Sequence, residues 1–227
     1  MIQFLDYSQK IISFIITSAK DLLSPPICAY CKTFLEKRNV FCISCKAKIQ
    51  PIMPKKLPVT KSFGITIYAV GGYEEPLKSL ILAKGWSDIV ASYNLGKLIY
   101  EKTIIKFLPC DLLVPIPLHW TRRIKRGFNQ AEVIAQEISL YTKKPVANVL
   151  KRNRYTPFQS QFAFADRQEN VKNVFSLATK DREKYKNKHI ILIDDLFTTG
   201  ATLKAAAKEL KKLKPATLSA VVASCVV

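Results

Sequence analysis

The sequence predicts an α/β protein built on a doubly wound, mostly parallel sheet, with a small cysteine-rich module ahead of it. Three observations predict this. The end of the chain alternates an apolar run from Ile190 to Ile193, a loop, an amphipathic stretch from Leu203 to Leu213 with Ala206, Ala207 and Leu210 inward, and a second apolar run from Leu218 to Val227. Strand, helix and strand in that order make a parallel βαβ unit. Four of the six cysteines fall in two close pairs near the N-terminus. At 227 residues and 48% hydrophobic content, the chain can bury one sizeable core plus an appendage.

Three segments follow in order. Residues 1–24 read as an amphipathic helix, because Leu5, Ile12, Ile15, Ala19, Leu22 and Leu23 fall at helical spacing. The uncharged stretch from Ile11 to Ala19 is shorter than the roughly 20 apolar residues that cross a bilayer. No transmembrane span is expected there, and Asp6, Lys20 and Asp21 argue against a signal peptide. The apolar face is expected to pack on the protein itself, with peripheral membrane association as the alternative. Residues 25–58 hold the cysteine module and a linker, since Pro51, Pro54 and Pro58 with Lys55 and Lys56 interrupt regular structure.

Residues 59–227 form the main domain. Ile65 to Val70 reads as a strand closed by Gly71-Gly72, and Pro76 to Lys84 as a helix with Leu77, Leu80 and Ile81 on one face. Leu112 to Val114 is a short buried strand. After a polar connection, Asn129 is placed as a helix N-cap, with Glu132 completing a capping box and Phe128 and Val133 spaced as a hydrophobic staple.

The paired cysteines are Cys28-x2-Cys31 and Cys42-x2-Cys45, with ten residues between the pairs. A two-residue gap lets both thiolates of a knuckle face one ion, and two knuckles complete the tetrahedral all-sulfur shell that zinc accepts. Four protein ligands leave no open position, so a structural Zn2+ is expected. Disulfides are the alternative, but nothing indicates export, and the free thiols agree with a cytoplasmic location. Cys110 and Cys225 sit in apolar surroundings and read as core residues.

The segment His189-Ile-Ile-Leu-Ile-Asp194-Asp195-Leu-Phe-Thr198-Thr199-Gly200-Ala201-Thr202 carries a phosphate-handling pattern. A buried strand delivers two carboxylates to its C-terminal end, where open α/β sheets place ligands. The small-residue turn that follows opens a helix whose N–H groups and dipole hold a phosphate, with Thr198, Thr199 and Thr202 as further donors. Acids beside a phosphate cup suit a ribose 5-phosphate. The seven glycines form neither G-x-G-x-x-G nor G-x4-G-K-[ST], so the dinucleotide class lacks its fingerprint. An ATPase reading, which the four apolar residues before two aspartates would fit as a Walker B strand, lacks its triphosphate cradle. With only His119 and His189 and no G-x-S-x-G, a hydrolase triad finds no support.

The stretch ILIDDLFTTGAT resembles the phosphoribosyl pyrophosphate (PRPP) signature of type I phosphoribosyltransferases. The two cysteine pairs, VPIPLHWTRRIKRGFNQAE and RNRYTPFQSQFAFADRQENVKNVF together resemble the ComF family of competence-associated proteins, from about Cys28 onward. The resemblance implies a PRPP site in which Asp194 and Asp195 hold the ribose and Thr198, Thr199, Gly200, Ala201 and Thr202 hold the 5-phosphate. A basic loop of Arg122, Arg123, Lys125 and Arg126 would face pyrophosphate, helped by Mg2+, and Lys151 to Asn173 would form a mobile flap. The implied reaction is phosphoribosyl transfer to an unknown nitrogen acceptor, in a protein of DNA uptake. The net charge of +19 favours anionic partners without choosing among them. The competing expectation is therefore a non-catalytic protein that senses PRPP or binds single-stranded DNA, alongside other competence proteins, with Trp120, Phe128, Tyr155, Phe158 and Phe162 as candidate stacking residues.

Overall fold

A computed structural model describes residues 25–83, 89–153, 174–178 and 182–226. The expected helix over 1–24 and positions 154–173 of the expected flap lie outside these residues. The chain divides into two compact units, residues 1–47 and 48–227.

In the first unit, Cys28 N–H donates to Thr33 O and Lys32 N–H to Cys28 O, closing a tight turn in which Lys32 adopts φ 63°. A bridge between Ile27 and Phe34 ties its ends together. The second cysteine pair enters the short helix α1 (Ile43–Ala47), whose first turn is anchored by Lys46 N–H on Cys42 O.

The second unit carries a five-stranded sheet in the order β1-β2-β7-β6-β3. Strand β1 (Lys55–Thr60) pairs antiparallel with β2 (Phe63–Gly72). Strands β3 (Leu112–Pro115), β6 (His189–Phe197) and β7 (Thr217–Cys225) join β2 in a parallel array. The doubly wound, mostly parallel sheet is thus as expected. β1, however, lies where the prolines predicted an irregular linker. It is an edge strand, where a proline's missing N–H breaks no ladder bond, and Pro58 sits opposite Gly64 beside a register shift.

Helices cover both faces. α6 (Ala201–Leu210) buries Leu203, Ala206, Ala207 and Leu210 against Ile190, Leu192, Ala220 and Val222. Side chains alternate along a strand, so Ile191, Ile193 and Val221, all fully buried, belong to the opposite face. That face is covered by α3 (Ile89–Lys102) and α5 (Gln130–Thr142), with α2 (Leu77–Ala83) against α3. Complete burial of Ile134 and Ile138 on α5 contributes about 1.5–3 kcal/mol each. α3 and α5 cross closely at Gly96, where a Cβ would come within 2.7 Å of Glu137 Cβ. The sequence pattern had not singled out α3.

Nor had it singled out β4 (Leu150–Arg152) and β5 (Phe175–Leu177), a separate antiparallel pair. Leu150 and Phe175 are buried in the same core as α6, so this pair sits on the α6 face of the sheet.

Candidate functional site

Strand β6 carries the two acids further than the apolar run suggested. It starts where His189 N–H donates to Asp111 Oδ2 at 2.8 Å and His189 Nδ1 meets Thr217 Oγ1 at 2.9 Å, so His189 is a structural residue. It then continues through Asp194 and Asp195 to Phe197, with Asp194 opposite Val222 and Phe197 opposite Cys225 on β7. Because β6 is still extended at the acids, they leave opposite faces of the sheet. Asp194 continues the Ile190 and Leu192 row toward α6 and the β4–β5 pair. Asp195 continues the other row. Both are half-buried, and the Asp195 N–H donates to Asp194 Oδ1 at 2.9 Å.

The turn after β6 fits its expected geometry. Thr198 and Thr199 are exposed, and Gly200 takes φ 76° immediately before α6. A Cβ at Gly200 would lie 2.8 Å from the Phe197 ring and 2.9 Å from Leu57 Cδ1, so both conformation and space require glycine. Lys204 N–H donates to Gly200 O, closing the first turn of α6. The N–H groups of that turn, at Ala201 and Thr202, have no intrahelical carbonyl to meet.

The expected basic loop is a helix, α4 (Trp120–Arg126). His119 caps its start through Nδ1, which accepts from Thr121 N–H, and Gly127 ends it at φ 79°. The helical path splits the four cations that the sequence had grouped. Arg122 and Arg126 are one turn apart and half-buried, and burial followed by the charge of Arg122 pushes Arg126 below its ordinary pKa. Arg123 is exposed and pairs with Glu132 at 3.5 Å. The Lys125 side chain lies outside the described residues.

Asn129 does occupy the N-cap of α5, but no side-chain capping bond forms. Its Nδ2 donates instead to Ile116 O at 3.0 Å, tying the helix start to the segment leaving β3. Glu132 is likewise drawn away from the expected capping box, to Arg123 and to Asn148 Nδ2 at 3.1 Å. Asn129 Oδ1 and Gln130 Nε2 are buried without a hydrogen-bond partner among the described residues. Each such group costs about 1–3 kcal/mol until a water or ligand meets it.

Arg152 on β4 is a further candidate, one that the sequence had placed only within the expected flap. Its guanidinium lies 5.4 Å from the centroid of the Phe175 ring. Burial and then the charge of Arg122 lower its pKa, opposed by Asp194. Arg122 and Asp194 therefore both act on Arg152, with opposite sign. A cross-strand Arg–Phe pair could have flagged it, but the two strands are far apart in sequence, separated by what read as a flap.

In the first unit the four cysteines come together as expected. The Sγ atoms of Cys28, Cys31, Cys42 and Cys45 all lie within 4.8 Å of one another, with Cys31 and Cys42 at 3.7 Å. Tetrahedral zinc with Zn–S of about 2.3 Å sets sulfurs about 3.8 Å apart, so the group can hold such a metal. Amide N–H groups of Cys42 and Cys45 point at Cys28 Sγ and Cys42 Sγ, both at 3.4 Å, as suits thiolate acceptors. The thiols differ widely: the Thr33 hydroxyl and N–H hold Cys31 near 6, whereas burial pushes Cys45 up to about 12. Cys225 is buried in the core, and burial raises Cys110 to about 11.

The family model for the phosphoribosyl transferase domain matches residues 124–227. The second unit therefore carries a phosphoribosyltransferase-type domain. The chain is 32% identical to Competence protein F of Haemophilus influenzae over 202 residues, which are 86% of this chain and 82% of that one. It is 26% identical to DNA utilization protein YhgH of Salmonella typhi, covering 85% and 87% of the two chains. Competence protein ComFC of Bacillus subtilis is 29% identical over 157 residues, 68% of this chain and 60% of that one. The chain belongs to the ComF family. Among solved structures, the glutamine PRPP amidotransferase of B. subtilis, complexed with ADP and GMP, superposes with a TM-score of 0.40 at 19% identity. That superposition covers 58% of this chain and 25% of the amidotransferase.

Among the described residues no helix is long and apolar enough to cross a membrane.

Proposed function

We propose that the chain binds PRPP at the C-terminal edge of its sheet and transfers the phosphoribosyl group to a nitrogen acceptor, releasing pyrophosphate, in the service of DNA uptake. The observation that carries this reading is the juncture of β6 and α6: two carboxylates at a strand tip, followed at once by a glycine-dependent turn and a helix N-terminus. Thr198 to Thr202 hold the 5-phosphate through backbone N–H groups and hydroxyls. Asp194 and Asp195 accept hydrogen bonds from the ribose hydroxyls, one from each side of the strand tip. Arg122 and Arg126 meet the pyrophosphate as charge builds on it during bond breaking, while the carboxylates favour the cationic ribose. Positioning and electrostatics suffice for such a displacement, and no proton-transfer residue is assigned.

The donor set also fits Mg2+, a hard cation that takes carboxylate and phosphate oxygens. When bound with the ligand, Mg2+ supplies charge neutralisation of the leaving group. Zinc in the four-cysteine cluster holds the first unit together and does no chemistry. The names of the curated relatives, competence and DNA utilization proteins, support the uptake role.

The test is release of pyrophosphate from PRPP with Mg2+ across a panel of nitrogenous bases. Turnover with any base supports transfer. PRPP binding without turnover for every base removes the catalytic part and leaves a PRPP sensor.

One observation favours a second reading, single-stranded DNA binding. α4 turns Trp120 and Ile124 outward, 65% and 74% exposed, beside the exposed Arg123. Bases can stack on such a ring while cations follow the backbone. This reading requires oligonucleotide affinity that falls steeply with salt and drops in Trp120→Ala. Affinity unchanged in that variant overturns it.

A further inference from the structure

We propose that a cavity at the edge of the sheet opposite the two acids is a second ligand site, one that takes a small anion built on a single aromatic ring.

The cavity, of about 210 Å3, is framed by the last turns of α3 and α5 and by the chain that leads into β3. Leu112 on β3 is level with Ile190 near the start of β6. At about 3.3 Å per strand residue, Asp194 lies roughly 13 Å further along the sheet. The inference therefore stands whether or not PRPP binds at the other edge.

Size, shape and charge decide what fits. Drug-sized ligands fill about 300–1,000 Å3, so this cavity has room for one ring and not for a nucleotide. One wall is flat: Tyr100 and Tyr141 stack with ring centroids 4.7 Å apart at 15°. Tyr141 Oη donates to Glu137 Oε1 at 2.8 Å, and burial pushes its pKa up to about 12, so the wall stays neutral. Ile105 and Leu113, both buried, add an aliphatic floor. A second flat apolar body gains more against such a wall than a puckered one does.

Lys106 and Lys144 complete the lining, and no carboxylate belongs to it. The ion pairs among the described residues involve neither lysine. Both are firmly rooted. Lys144 O accepts from Ser139 Oγ at 2.6 Å, and Lys144 N–H donates to Thr142 Oγ1 at 3.4 Å. Lys106 stands in the 3-10 turn Ile105–Phe107, with Nζ 5.4 Å from the Phe107 ring centroid. Exposed lysines of this kind line an apolar wall with their stems and keep the ammonium at the mouth. Two cations at the mouth of an aromatic and aliphatic cavity match a ring that carries a carboxylate.

The test is calorimetric titration of the full chain with benzoate, against two probes that each lack one feature: benzamide, which is uncharged, and cyclohexanecarboxylate, which is not aromatic. Benzoate should bind with a millimolar dissociation constant or tighter, as so small a ligand can reach, and at least fivefold more tightly than either other probe. Lys144→Met and Lys106→Met, changes at exposed positions that leave the core intact, should each weaken benzoate at least threefold. Cys110 is half-buried in the same lining, so its alkylation by N-ethylmaleimide, followed by peptide mass spectrometry, should slow at least threefold at saturating benzoate. Absence of benzoate binding overturns the proposal. Equal affinity for benzamide or for cyclohexanecarboxylate overturns the ligand class. Wild-type affinity in either lysine variant, or no protection of Cys110, puts the ligand elsewhere and overturns the site. Each of these failures leaves the PRPP reading of the other edge standing.

Discussion

Gly200 and Gly127 make a matched pair of perturbations for the turn that opens α6. Both hold left-handed backbone, at φ 76° and 79°. They differ in what a methyl group would meet: nothing within 4 Å at Gly127, but the Phe197 ring at 2.8 Å and Leu57 Cδ1 at 2.9 Å at Gly200. Gly127→Ala thus incurs the conformational cost alone, about 1–2 kcal/mol. Gly200→Ala incurs the same cost plus overpacking, typically about 1–3 kcal/mol more. For a domain of this size each kcal/mol lowers Tm by roughly 2–4 °C. Thermal denaturation should therefore put the Gly200 variant below the Gly127 variant by roughly 2–12 °C. Relief of the clash would also displace the turn from the acids, so PRPP affinity should fall in Gly200→Ala. Equal melting points, or the reverse order, would refute the claim that Phe197 and Leu57 wall in this turn.

Other predictions rest on separate contacts. Arg122→Ala should weaken PRPP binding at least tenfold, whereas Arg123→Ala, which removes the exposed end of an ion pair and leaves Glu132 its bond from Asn148, should change stability by about 1 kcal/mol or less and affinity little; titration of both checks the partition of α4, and equal effects contradict it. Gly96→Ala should destabilise by a net of about 0–2 kcal/mol in denaturant unfolding, since the approach of Glu137 to 2.7 Å outweighs a gain of about 1 kcal/mol in helix propensity. The His189 N–H bond holds the Asp111 pKa below its ordinary value, so its stabilising contribution is present above the unfolded pKa and lost as pH falls through the folded one. The stability gap between wild type and Asp111→Asn should accordingly be constant near neutrality and close below about pH 4; a gap that persists at lower pH contradicts this. Metal analysis of purified protein should find about one zinc per chain, lost in Cys45→Ser; retention of stoichiometric zinc in that variant contradicts the four-cysteine site.

What the sequence made legible follows from how local each signal is. The cysteine pairs, the β6–turn–α6 unit and the apolar run of β7 are written in consecutive residues, and each formed where expected, although β6 runs on past Ile193 to Phe197. β1 was misread because a proline-rich stretch breaks a central strand but is tolerated on an edge, and edge status is a property of the finished sheet. The basic run at 122–126 showed charge without direction. Only its helical winding separates Arg122 and Arg126 from Arg123. The capping box at Asn129 and Glu132 had the right spacing, yet both side chains found distant partners, Ile116 O and Arg123, that no local pattern contains. Arg152 was hidden for the same reason, since Phe175 meets it only through the β4–β5 pairing.

The account rests on Asp194 and Asp195 holding the ribose of a ligand whose phosphate occupies the adjoining turn. Calorimetric titration of PRPP with Mg2+ into wild type, Asp194→Asn and Asp195→Asn measures this most directly. The account predicts saturable binding by wild type and its loss in both variants at an unchanged melting temperature. Wild-type affinity in either variant would contradict it.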